Sequence, residues 1–461
     1  MNKEKKIMPE LRFPEFVKEG EWSNEELGQI SEIVRGGSPR PIQEYLTKDV
    51  NGLNWLKIAD VPSDSKYITE TKEKVINEAL SSTREVNPGD LILSNSMSFG
   101  RPYILKIKTC IHDGWIAIRK ISNKTYEDYL YYFISSENSQ SYFKTNAAGA
   151  AVKNLNADII KLLPIYLPKN KNEQQKIASC LSSLDELLAA HNEKLEALKD
   201  HKKGLMQNLF PQMSGTGLLR LKDEQDKNEI LSVSSSYKSC SDNLPKFRFP
   251  EFEKDGEWVE KTVGDVYNFK ITNSFSREYL NYDKGKVKNI HYGDIHRKFN
   301  TLFDITKENV PFINQDISIE KINKESYCIE GDIVFADASE DLDDVGKSIE
   351  IVNLNNEKLV SGLHTLLARQ RKNNVAIGFG GYLFKSDWIR KQIQREAQGA
   401  KVLGISANRI SNVKIYYPKD SKEQQKIASC LSSLDALIMA QAEKIEQLQE
   451  HKKGLMQGLF P

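Results

Sequence analysis

The sequence has few cysteines and no long apolar run, and both shortages exclude classes of protein. Its five cysteines lie far apart without any Cys-x-x-Cys pair, which excludes the usual zinc and redox motifs and favours a reducing compartment. No stretch of about 18 apolar residues occurs, as a membrane-spanning helix needs. The opening MNKEKKIMPELRF also lacks the apolar core of a signal peptide. We therefore expect a cytoplasmic protein, neither exported nor anchored in a membrane.

An excess of charge of one sign is also missing. The 461 residues include 65 Lys and Arg against 64 Asp and Glu, which leaves a net charge of +1. That balance excludes a polycation of the histone kind. It permits nucleic-acid binding, because affinity for DNA depends on how many phosphates one face of a protein neutralises. At about 150 residues per domain, the length predicts two to four globular domains.

The motifs of the common enzyme classes are absent as well. Residues 341–348, DLDDVGKS, end like a phosphate-binding loop, but Asp341 stands where the first glycine is required. The segment also fails as a calcium loop, since Val345 and Val352 occupy ligand positions, and we interpret its acidic residues as a solvated loop. The tetrapeptide GFGG at residues 378–381 is only a weak cofactor signal. We expect no catalytic residue, no metal site and no cofactor in this chain.

What the sequence does contain is an internal repeat. Residues 173–211 recur as residues 423–461 with most positions identical, and the opening motif RFPEF occurs at residues 12–16 and again at residues 248–252. Between these segments the similarity falls to scattered matches, such as GDLILS at 89–94 and GDIVFA at 331–336. The chain is therefore two variable modules, each followed by a copy of the repeated segment. Residues 212–243, rich in Ser, Gly and charge, are interpreted as a linker.

Apolar residues in the repeated segments alternate four and three positions apart, which predicts a heptad seam on a helix of about 38 residues, or about 57 Å. The seam residues are Ile177, Leu181, Leu184, Leu188, Leu195, Leu198 and Leu205 in the first copy, and Ile427, Leu431, Leu434, Ile438, Ile445, Leu448 and Leu455 in the second. Such a stripe needs a partner, so we expect the two helices to form an antiparallel intramolecular coiled coil with pseudo-twofold symmetry. His191, Gln441, Lys202 and Lys452 are polar seam positions. We interpret them as register devices or contacts for further helices, with frayed, solvated ends as the alternative for the two lysines.

Helix-start signals and the variable modules complete the predicted fold. Asn170 with Glu173, and Asp420 with Glu423, have the spacing of a capping box. We predict strands at 54–58, 89–94 and 116–118 in the first module and at 288–292, 331–336 and 349–352 in the second, with helices at 126–143 and 382–396. The predicted class is α+β, with two globular mixed α/β modules separated by two long antiparallel coiled-coil helices. Loops rich in Gly, Ser, Asn and Arg, such as residues 34–41 and 94–102, are expected to carry recognition.

Two dissimilar modules opened by RFPEF, each followed by a helix that begins EQQKIA and ends KKGLMQxLFP, resemble the specificity subunit (HsdS) of a type I restriction-modification system. The resemblance implies target-recognition domains at residues 1–168 and 244–418. It implies conserved spacer helices at residues 169–211 and 419–461, with the linker at 212–243. It also implies a non-catalytic subunit that binds a bipartite, asymmetric DNA sequence.

The resemblance further implies two modification subunits, which methylate adenine with S-adenosylmethionine, and restriction subunits that use ATP and magnesium. A rigid helix pair suits this role independently, because half-sites recur on one face of DNA about every 34 Å. Near-zero net charge predicts weak DNA binding alone and stronger binding with modification subunits. The alternative is a coiled-coil protein-interaction scaffold without sequence-specific DNA binding.

Candidate DNA contacts are basic, amide, hydroxyl and aromatic residues of the variable modules, since Arg or Lys can bind guanine and Asn or Gln adenine. They are Arg35, Ser38, Arg40, Asn95, Ser96, Arg101 and Lys153 in the first module, and Asn273, Ser274, Arg277, His291, Tyr292, His296, Lys347 and Lys401 in the second. For any one of them, a solvated surface position is the alternative. Arg12 and Arg248 belong to the repeated opening motif, so we expect them to be structural.

Overall fold

The computed structural model describes residues 7–62, 65–95, 100–147, 155–212, 244–399 and 401–461. The chain divides into two compact units, unit 1 (Met1–Glu193 with Glu443–Pro461) and unit 2 (Lys194–Ala442). Each of the two long helices gives one half to each unit. Among the described residues, no helix combines the length and apolarity needed to cross a membrane.

Unit 1 contains two five-stranded sheets, ordered β2-β11-β8-β9-β5 and β3-β6-β4-β10-β7, and a two-stranded sheet, β1-β12. Its strands are β1 Ser23–Glu26, β2 Glu32–Arg35, β3 Leu46–Thr47, β4 Leu53–Leu56, β5 Tyr67–Ile68, β6 Glu73–Val75, β7 Arg84–Val86, β8 Leu91–Ser94, β9 Pro102–Leu105, β10 Thr109–Ile111, β11 Trp115–Arg119 and β12 Pro164–Leu167. Its helices are α1 Leu27–Ile30, α2 Glu127–Ser135, α3 Glu137–Asn146, α4 Ala157–Lys161 and the first half of α5 Lys171–Leu209. The central strands β8 and β9 are buried along their whole length.

Unit 2 contains a five-stranded sheet, β14-β23-β19-β21-β17, a four-stranded sheet, β15-β18-β16-β22, and the pairs β13-β25 and β20-β24. Its strands are β13 Val259–Thr262, β14 Tyr267–Lys270, β15 Leu280–Asn281, β16 Lys288–Ile290, β17 Leu302–Asp304, β18 Phe312–Ile313, β19 Ile333–Ala336, β20 Ala338–Ser339, β21 Ser348–Asn353, β22 Leu359–Ser361, β23 Thr365–Gln370, β24 Leu403–Gly404 and β25 Lys414–Tyr417. Its helices are α6 Val263–Val266, α7 Tyr292–Arg297, α8 Phe379–Leu383, α9 Asp387–Glu396, α10 Ala407–Ser411 and the first half of α11 Ser421–Leu459.

The long helices pack antiparallel inside each unit. In unit 1, Ile177 and Leu181 near the start of α5 share a buried apolar cluster with Leu459 and Phe460 at the end of α11. In unit 2 the roles are exchanged, and the start of α11 shares a cluster with Leu209 and Phe210. Among the predicted seam residues, Ile177, Leu181, Leu184, Leu188, Ile427, Leu431, Leu434, Ile445 and Leu448 are buried, and Leu195, Leu198, Leu205, Ile438 and Leu455 are half-buried.

The repeated opening motif is joined to the start of the repeated helix by a buried ion pair. Arg12 donates to both carboxylate oxygens of Glu173, at 2.7 and 2.8 Å, and Arg248 makes the same paired contact with Glu423, at 2.7 Å to each oxygen. Both glutamates are buried. The predicted capping boxes are therefore wrong in their second half, because the arginines bind the glutamates that were expected to cap the helices.

The glutamine that follows each of these glutamates ties the helix to its own module. Gln174 accepts a hydrogen bond from the backbone of Tyr126 at 2.8 Å, and Gln424 accepts one from Ala376 at 2.6 Å. Their amide groups donate to backbone carbonyls of the loops around them. The repeated EQQKIA sequence thus fixes each long helix against a module through backbone groups, which lets the module's own side chains vary.

Some predicted element bounds differ from the structure. The predicted helix at 126–143 is two helices, because Ser136 is extended and its hydroxyl caps α3 by accepting from Ser139 N at 3.4 Å. The predicted helix at 382–396 is likewise divided between α8 and α9. The predicted strand at 288–292 ends at Ile290, because His291 caps α7 and Tyr292 begins it. The other predicted strands overlap β4, β8, β11, β19 and β21.

Candidate nucleic-acid interface

Three neighbouring strands of unit 1 bring the predicted recognition loops to one edge of a sheet. Strand β2 pairs with β11, and β11 pairs with β8, so that Arg35 lies opposite Ile116 and Ser94 lies opposite Trp115. The loop after β2, the loop after β8 and the turn before β11 therefore meet. Residues distant in sequence become neighbours there because the strand pairing is antiparallel.

Asp113, in the turn before β11, is the centre of this edge. Its carboxylate accepts a hydrogen bond from Ser38 at 2.9 Å and lies 3.6 Å from the guanidinium of Arg40. Its backbone carbonyl accepts from Arg35 and from Asn95, each at 3.1 Å. The neighbouring His112 lies 3.0 Å from the same carboxylate. We call these residues the Asp113 cluster: Arg35, Ser38, Arg40, Asn95, His112 and Asp113.

The charge of Asp113 is stabilised by its neighbours. Burial by itself raises the pKa of this carboxyl, but the Ser38 hydrogen bond and the nearby His112, Arg35 and Arg40 outweigh it, so the pKa is lowered. The carboxylate is therefore ionised at neutral pH and can hold cationic side chains in place. The Arg40 side chain is 84% exposed, which leaves most of its donors available to a ligand.

Two glycines make the close packing of this loop possible. A Cβ atom on Gly36 would clash with the carbonyl oxygen of His112, and one on Gly37 would clash with that of Ser82. Only glycine lets the backbone approach so closely. The Gly-Gly pair in the loop at residues 34–41 is thus required to bring Arg35 and Arg40 beside Asp113.

The remaining candidates of the first module have different positions. Arg101 lies directly before β9, where its guanidinium is 5.5 Å from the ring centre of Tyr103 and its backbone carbonyl accepts from the N–H of Ser94. The pairing with Ser94 places Arg101 at the same sheet edge as the Asp113 cluster. Ser96 and Lys153 lie outside the described residues.

Unit 2 builds the corresponding edge from β14, β23 and β19. Lys270 lies opposite Leu367, and Ala336 lies opposite Thr365. The backbone N–H of Asp337 donates to the carbonyl of His364 at 3.1 Å, as Asn95 donates to Gly114 at 3.0 Å in unit 1. Three segments therefore have the same arrangement in both units. They are the loop after β2 or β14, the residue after β8 or β19, and the turn before β11 or β23.

Imidazole rings and one tyrosine occupy this edge in unit 2. The Tyr292 ring lies 4.7 Å from His291, 5.3 Å from His364 and 6.0 Å from His296, centre to centre. His364 Nδ1 is 3.2 Å from Asp337 Oδ1. We call these residues the His364 cluster: His291, Tyr292, His296, Asp337 and His364. Burial, followed by the charge of Arg277, lowers the pKa of His291, so that ring is neutral at pH 7.

The other candidates of the second module fall into two groups. Asn273, Arg277 and Lys347 are engaged inside the unit: Asn273 donates to Asn289 and Ser361, Arg277 to Asp294 and Tyr282, and Lys347 to the carbonyl of His296. Ser274 and Lys401 are exposed. Two grooves, of about 560 and 630 Å³, share Asp337, His364 and Leu366 in their linings. The lining of the first groove also includes Ser274, so a ligand in this groove would contact Ser274 together with Asp337 and His364.

Among the described residues, no group of three or more His, Cys, Asp or Glu side chains could hold a metal ion. The GFGG tetrapeptide makes a structural contact inside unit 2. The N–H groups of Gly378 and Gly381 donate to the two oxygens of the buried Glu350 carboxylate, at 2.9 and 2.6 Å. A Cβ on Gly381 would lie 2.9 Å from the side chain of Leu302, so this glycine fits a tight packing position.

Sequence reasoning missed the acidic residue at the centre of each edge. Neither Asp113 nor Asp337 is among the predicted candidates, which are basic, amide, hydroxyl and aromatic residues, and His364 is not among them either. The available signal was position for the two aspartates: Asp337 directly follows the predicted strand at 331–336 and Asp113 lies shortly before the one at 116–118, whereas no predicted strand lies beside His364.

Comparison with known proteins agrees with this architecture. A family model described as "Type I restriction modification DNA specificity domain" matches residues 19–200 and 255–450. The MjaVIII specificity subunit of Methanocaldococcus jannaschii is 25% identical over 461 residues, covering 99% of this chain and 94% of the relative. The putative MjaX specificity subunit of the same organism is 25% identical over 458 residues, covering 95% and 93%.

Two solved structures have a similar fold. The type I restriction-modification S subunit from M. genitalium superposes with a TM-score of 0.56 at 14% identity, covering 99% of each chain. A chain from a study of complex assembly and conformational transition of the type I R-M system gives 0.51 at 15% identity, covering 94% of this chain and 96% of that one. The family predicted from the repeated motifs is confirmed. Because the family model matches both halves and most of the sequence, the chain belongs to the family of type I restriction-modification DNA specificity subunits.

Proposed function

We propose that this specificity subunit, the non-catalytic member of its complex, reads a bipartite, asymmetric duplex DNA target. The observation that carries the proposal is the repeated sheet edge, which holds the Asp113 cluster in unit 1 and the His364 cluster in unit 2. One scaffold with two different sets of side chains suits two different half-sites. Loops on a rigid sheet are also where recognition residues usually lie.

In the first module, Arg35 and Arg40 are the proposed readers. Both are exposed, and an arginine can bind O6 and N7 of guanine in the major groove or a backbone phosphate. Ser38 and Asn95 bind Asp113, so we assign them to positioning the loop. Arg101 lies at the same edge and is a further proposed contact, and Ser96 and Lys153, outside the described residues, remain candidates from the sequence alone.

In the second module, Ser274 and Lys401 are exposed and are the proposed polar contacts at the rim. Asn273, Arg277 and Lys347 hold the surrounding loops through contacts inside the unit. In the His364 cluster, Tyr292 and His296 are half-buried and are proposed contacts, whereas His291 is buried and is assigned to packing against Tyr292. Phosphate contacts position a protein on DNA and base contacts specify the sequence, so both sets are needed.

The proposed functional domains follow from this assignment. Target-recognition domains span residues 1–168 and 244–418, spacer helices span 169–211 and 419–461, and a linker spans 212–243. The repeated segments place the same side chains on both helices, which suits one modification subunit near each module. Restriction subunits are further proposed partners. The cytoplasm is the proposed location, because the DNA lies there and the four described cysteines are free thiols that suit a reducing compartment.

Retention of duplex pools on a gel, with and without the modification subunit, tests DNA recognition. Sequence-dependent retention is expected, stronger with the modification subunit because the chain's own net charge is only +1. An interaction scaffold would show no sequence-dependent retention in either condition. Methylome sequencing of a host carrying the wild-type system would then give the two half-sites.

Shortening both helices tests whether they set the gap between the half-sites. Deleting residues 193–199 together with 443–449 removes one heptad from each helix. In this deletion the ion pairs Asp185–Lys452 and Lys202–Asp435 can re-form together, because both helices lose the same length between them. Seven residues correspond to about 10 Å of helix, or about three base pairs of DNA. The gap should therefore shorten while both half-sites stay the same, and an unchanged gap would contradict the proposal.

A further inference from the structure

We propose that Asp337 and His364 form a specificity-determining pair that reads the edge of one base pair in the second half-site. This inference rests on the proposed DNA recognition and goes beyond it by naming the two side chains and the base chemistry they select. It is carried by the rigidity of Asp337, the backbone conformation of His364 and the grooves that both residues line.

Two backbone hydrogen bonds fix the position of Asp337. Its N–H donates to the carbonyl of His364 at 3.1 Å, and its carbonyl accepts from Ile405 at 2.8 Å. One carboxylate oxygen, Oδ1, lies 3.2 Å from His364 Nδ1. Within the described part of the chain, the other oxygen, Oδ2, has no hydrogen-bond partner. The residue is thus a pre-positioned acceptor with one oxygen available to a ligand.

His364 has a backbone conformation that is costly for a histidine. Its φ angle is +55°, in the left-handed region that glycine adopts without penalty. A residue that keeps a side chain in such a position, at the centre of a surface, commonly has a functional reason.

Both side chains are accessible from the grooves. The His364 side chain is 51% exposed and that of Asp337 is 28% exposed. They are shared by the linings of the two grooves of unit 2, and Tyr292 packs its ring edge-on against His364 at 5.3 Å. The pair therefore has a fixed orientation and an open face.

The chemistry of the pair selects an amino group. A carboxylate oxygen only accepts hydrogen bonds, and the contact of His364 Nδ1 with Oδ1 leaves Oδ2 of Asp337 to accept from a ligand. In the major groove, cytosine N4 and adenine N6 are the donors, whereas guanine and thymine present acceptors at the same positions. We infer that the strand facing Asp337 carries cytosine or adenine at one position of the second half-site and excludes guanine and thymine there.

Two substitutions and a matched control test the pair in the assembled complex with the modification subunits. Asp337→Asn changes the acceptor into a group that can also donate, and His364→Gly removes the ring while relieving the strained φ. Methylome sequencing should show that each variant tolerates extra bases at one position of one half-site. Affinity for a duplex with guanine or thymine there should approach that for the original base, a loss of discrimination of at least about tenfold. The other half-site and the gap should be unchanged.

Stability separates this role from a structural one. His364→Gly should leave the unfolding temperature of the chain unchanged or raise it, because the glycine relieves backbone strain. Asn356→Gly is the control, since Asn356 has a φ of +60° in the segment between β21 and β22 and does not line either groove. It should keep or raise the unfolding temperature in the same way and leave the methylated sequence unchanged.

The possible outcomes are distinct. An unchanged methylated sequence in both Asp337→Asn and His364→Gly overturns the pair as a specificity determinant, and so does relaxed specificity in both half-sites. A reduced unfolding temperature of His364→Gly with an unchanged sequence would show a purely structural role. Absence of sequence-specific methylation by the wild-type complex would contradict the proposed function itself, and is recognised because it does not depend on any variant.

Discussion

Lys452, near the end of α11, forms an ion pair with Asp185 in the first half of α5. Tyr132 donates to the other oxygen of the same carboxylate at 2.7 Å. Unit 2 repeats the network with Lys202, Asp435 and Tyr382. The two lysines are the polar seam residues of the predicted helices, and each is held at one carboxylate of the antiparallel partner segment. When a charged residue can reach its partner in only one register of the two helices, it disfavours pairings in which the helices are shifted.

Removing the Asp185–Lys452 pair should weaken unit 1 measurably. The side chains are 31% and 24% exposed, so the pair is less screened than a surface pair, and a coupling energy of about 1–2 kcal/mol is expected. A double-mutant cycle with Asp185→Asn and Lys452→Met, followed by denaturant unfolding, measures it. The control is the Glu196–Lys199 pair, whose side chains are 69% and 50% exposed and whose coupling should be near zero. Equal coupling in the two cycles would contradict a register role for Lys452.

Breaking the buried ion pair between Arg12 of the opening motif and Glu173 of α5 should lower the free energy of unfolding more than loss of the Asp185–Lys452 pair does. Glu173→Gln leaves the buried guanidinium of Arg12 without its charged partner, and loss of one member of a buried pair typically costs about 3–5 kcal/mol. Glu173 also raises the pKa of Arg12 through its hydrogen bond, consistent with a guanidinium that stays charged. The thermal unfolding temperature should therefore fall sharply.

Glu15 in the same motif offers the matched control for that substitution. It lies 3.5 Å from Lys176 with both side chains about half exposed. Glu15→Gln removes the same charge at the surface and should change the free energy of unfolding by less than about 1 kcal/mol. Comparable losses of unfolding free energy in Glu173→Gln and Glu15→Gln would show that the buried Arg12–Glu173 pair does not stabilise the start of α5.

The elements that sequence could predict are those with a local cause. The heptad period runs through α5 and α11 without interruption, so their existence and length follow from residues three and four apart. The division of the predicted helix at 126–143 is not marked by a glycine or proline, and it occurs at Ser136, whose hydroxyl caps α3. The capping role expected of Glu173 was lost to Arg12, a residue 161 positions away.

The candidate site likewise has one part that the sequence predicts locally and one part that depends on the fold. The loop at residues 34–41 could be singled out from its glycines and arginines alone. The importance of Asp113 and His364 depends on which strands pair, since Arg35, Ser94 and Trp115 become neighbours only through the order β2-β11-β8. Strand order is a non-local property that composition and spacing do not encode, so the centre of each cluster could be found only in the folded chain.

The buried Glu350 predicts a pH-dependent stability of unit 2. Burial raises the pKa of this carboxyl from 4.5 to about 7, although hydrogen bonds from Gly381 and Gly378 oppose the shift. The contribution of the protonated side chain is fully present below pH 4.5. As the pH rises from 4.5 to 7, the unfolded chain loses this proton first, so stability falls, and the loss, on the order of 3 kcal/mol, is complete above pH 7.

Hydrogen exchange of the amides in α8 measures this effect locally. Between pH 5 and pH 8, protection corrected for the intrinsic exchange rate should decrease in the wild-type chain and stay level in Glu350→Gln, whose side chain does not titrate. Glu308→Gln, which removes another partly buried acid of unit 2 whose pKa is raised by burial, serves as the control and should keep the wild-type slope in α8. A level profile in the wild type would show that Glu350 keeps one charge state across this range.

Asp113→Asn separates anchoring of Arg40 by the Asp113 carboxylate from simple electrostatics in the first module. Removing a negative charge from a DNA-facing surface should strengthen binding to any duplex if only net charge matters. If the Asp113 carboxylate positions Arg40, which lies 3.6 Å from it, the variant should instead lose about tenfold in affinity for the correct first half-site, equivalent to about 1.4 kcal/mol. Binding to an unrelated duplex should be equal or tighter, so discrimination should fall.

Asp158→Asn makes the same charge change in unit 1 at a carboxylate that is 83% exposed, and it should leave discrimination unaltered. Titration of the assembled complex with matched and mismatched duplexes at two salt concentrations measures both quantities, and tighter binding with full discrimination in Asp113→Asn would contradict the anchoring role.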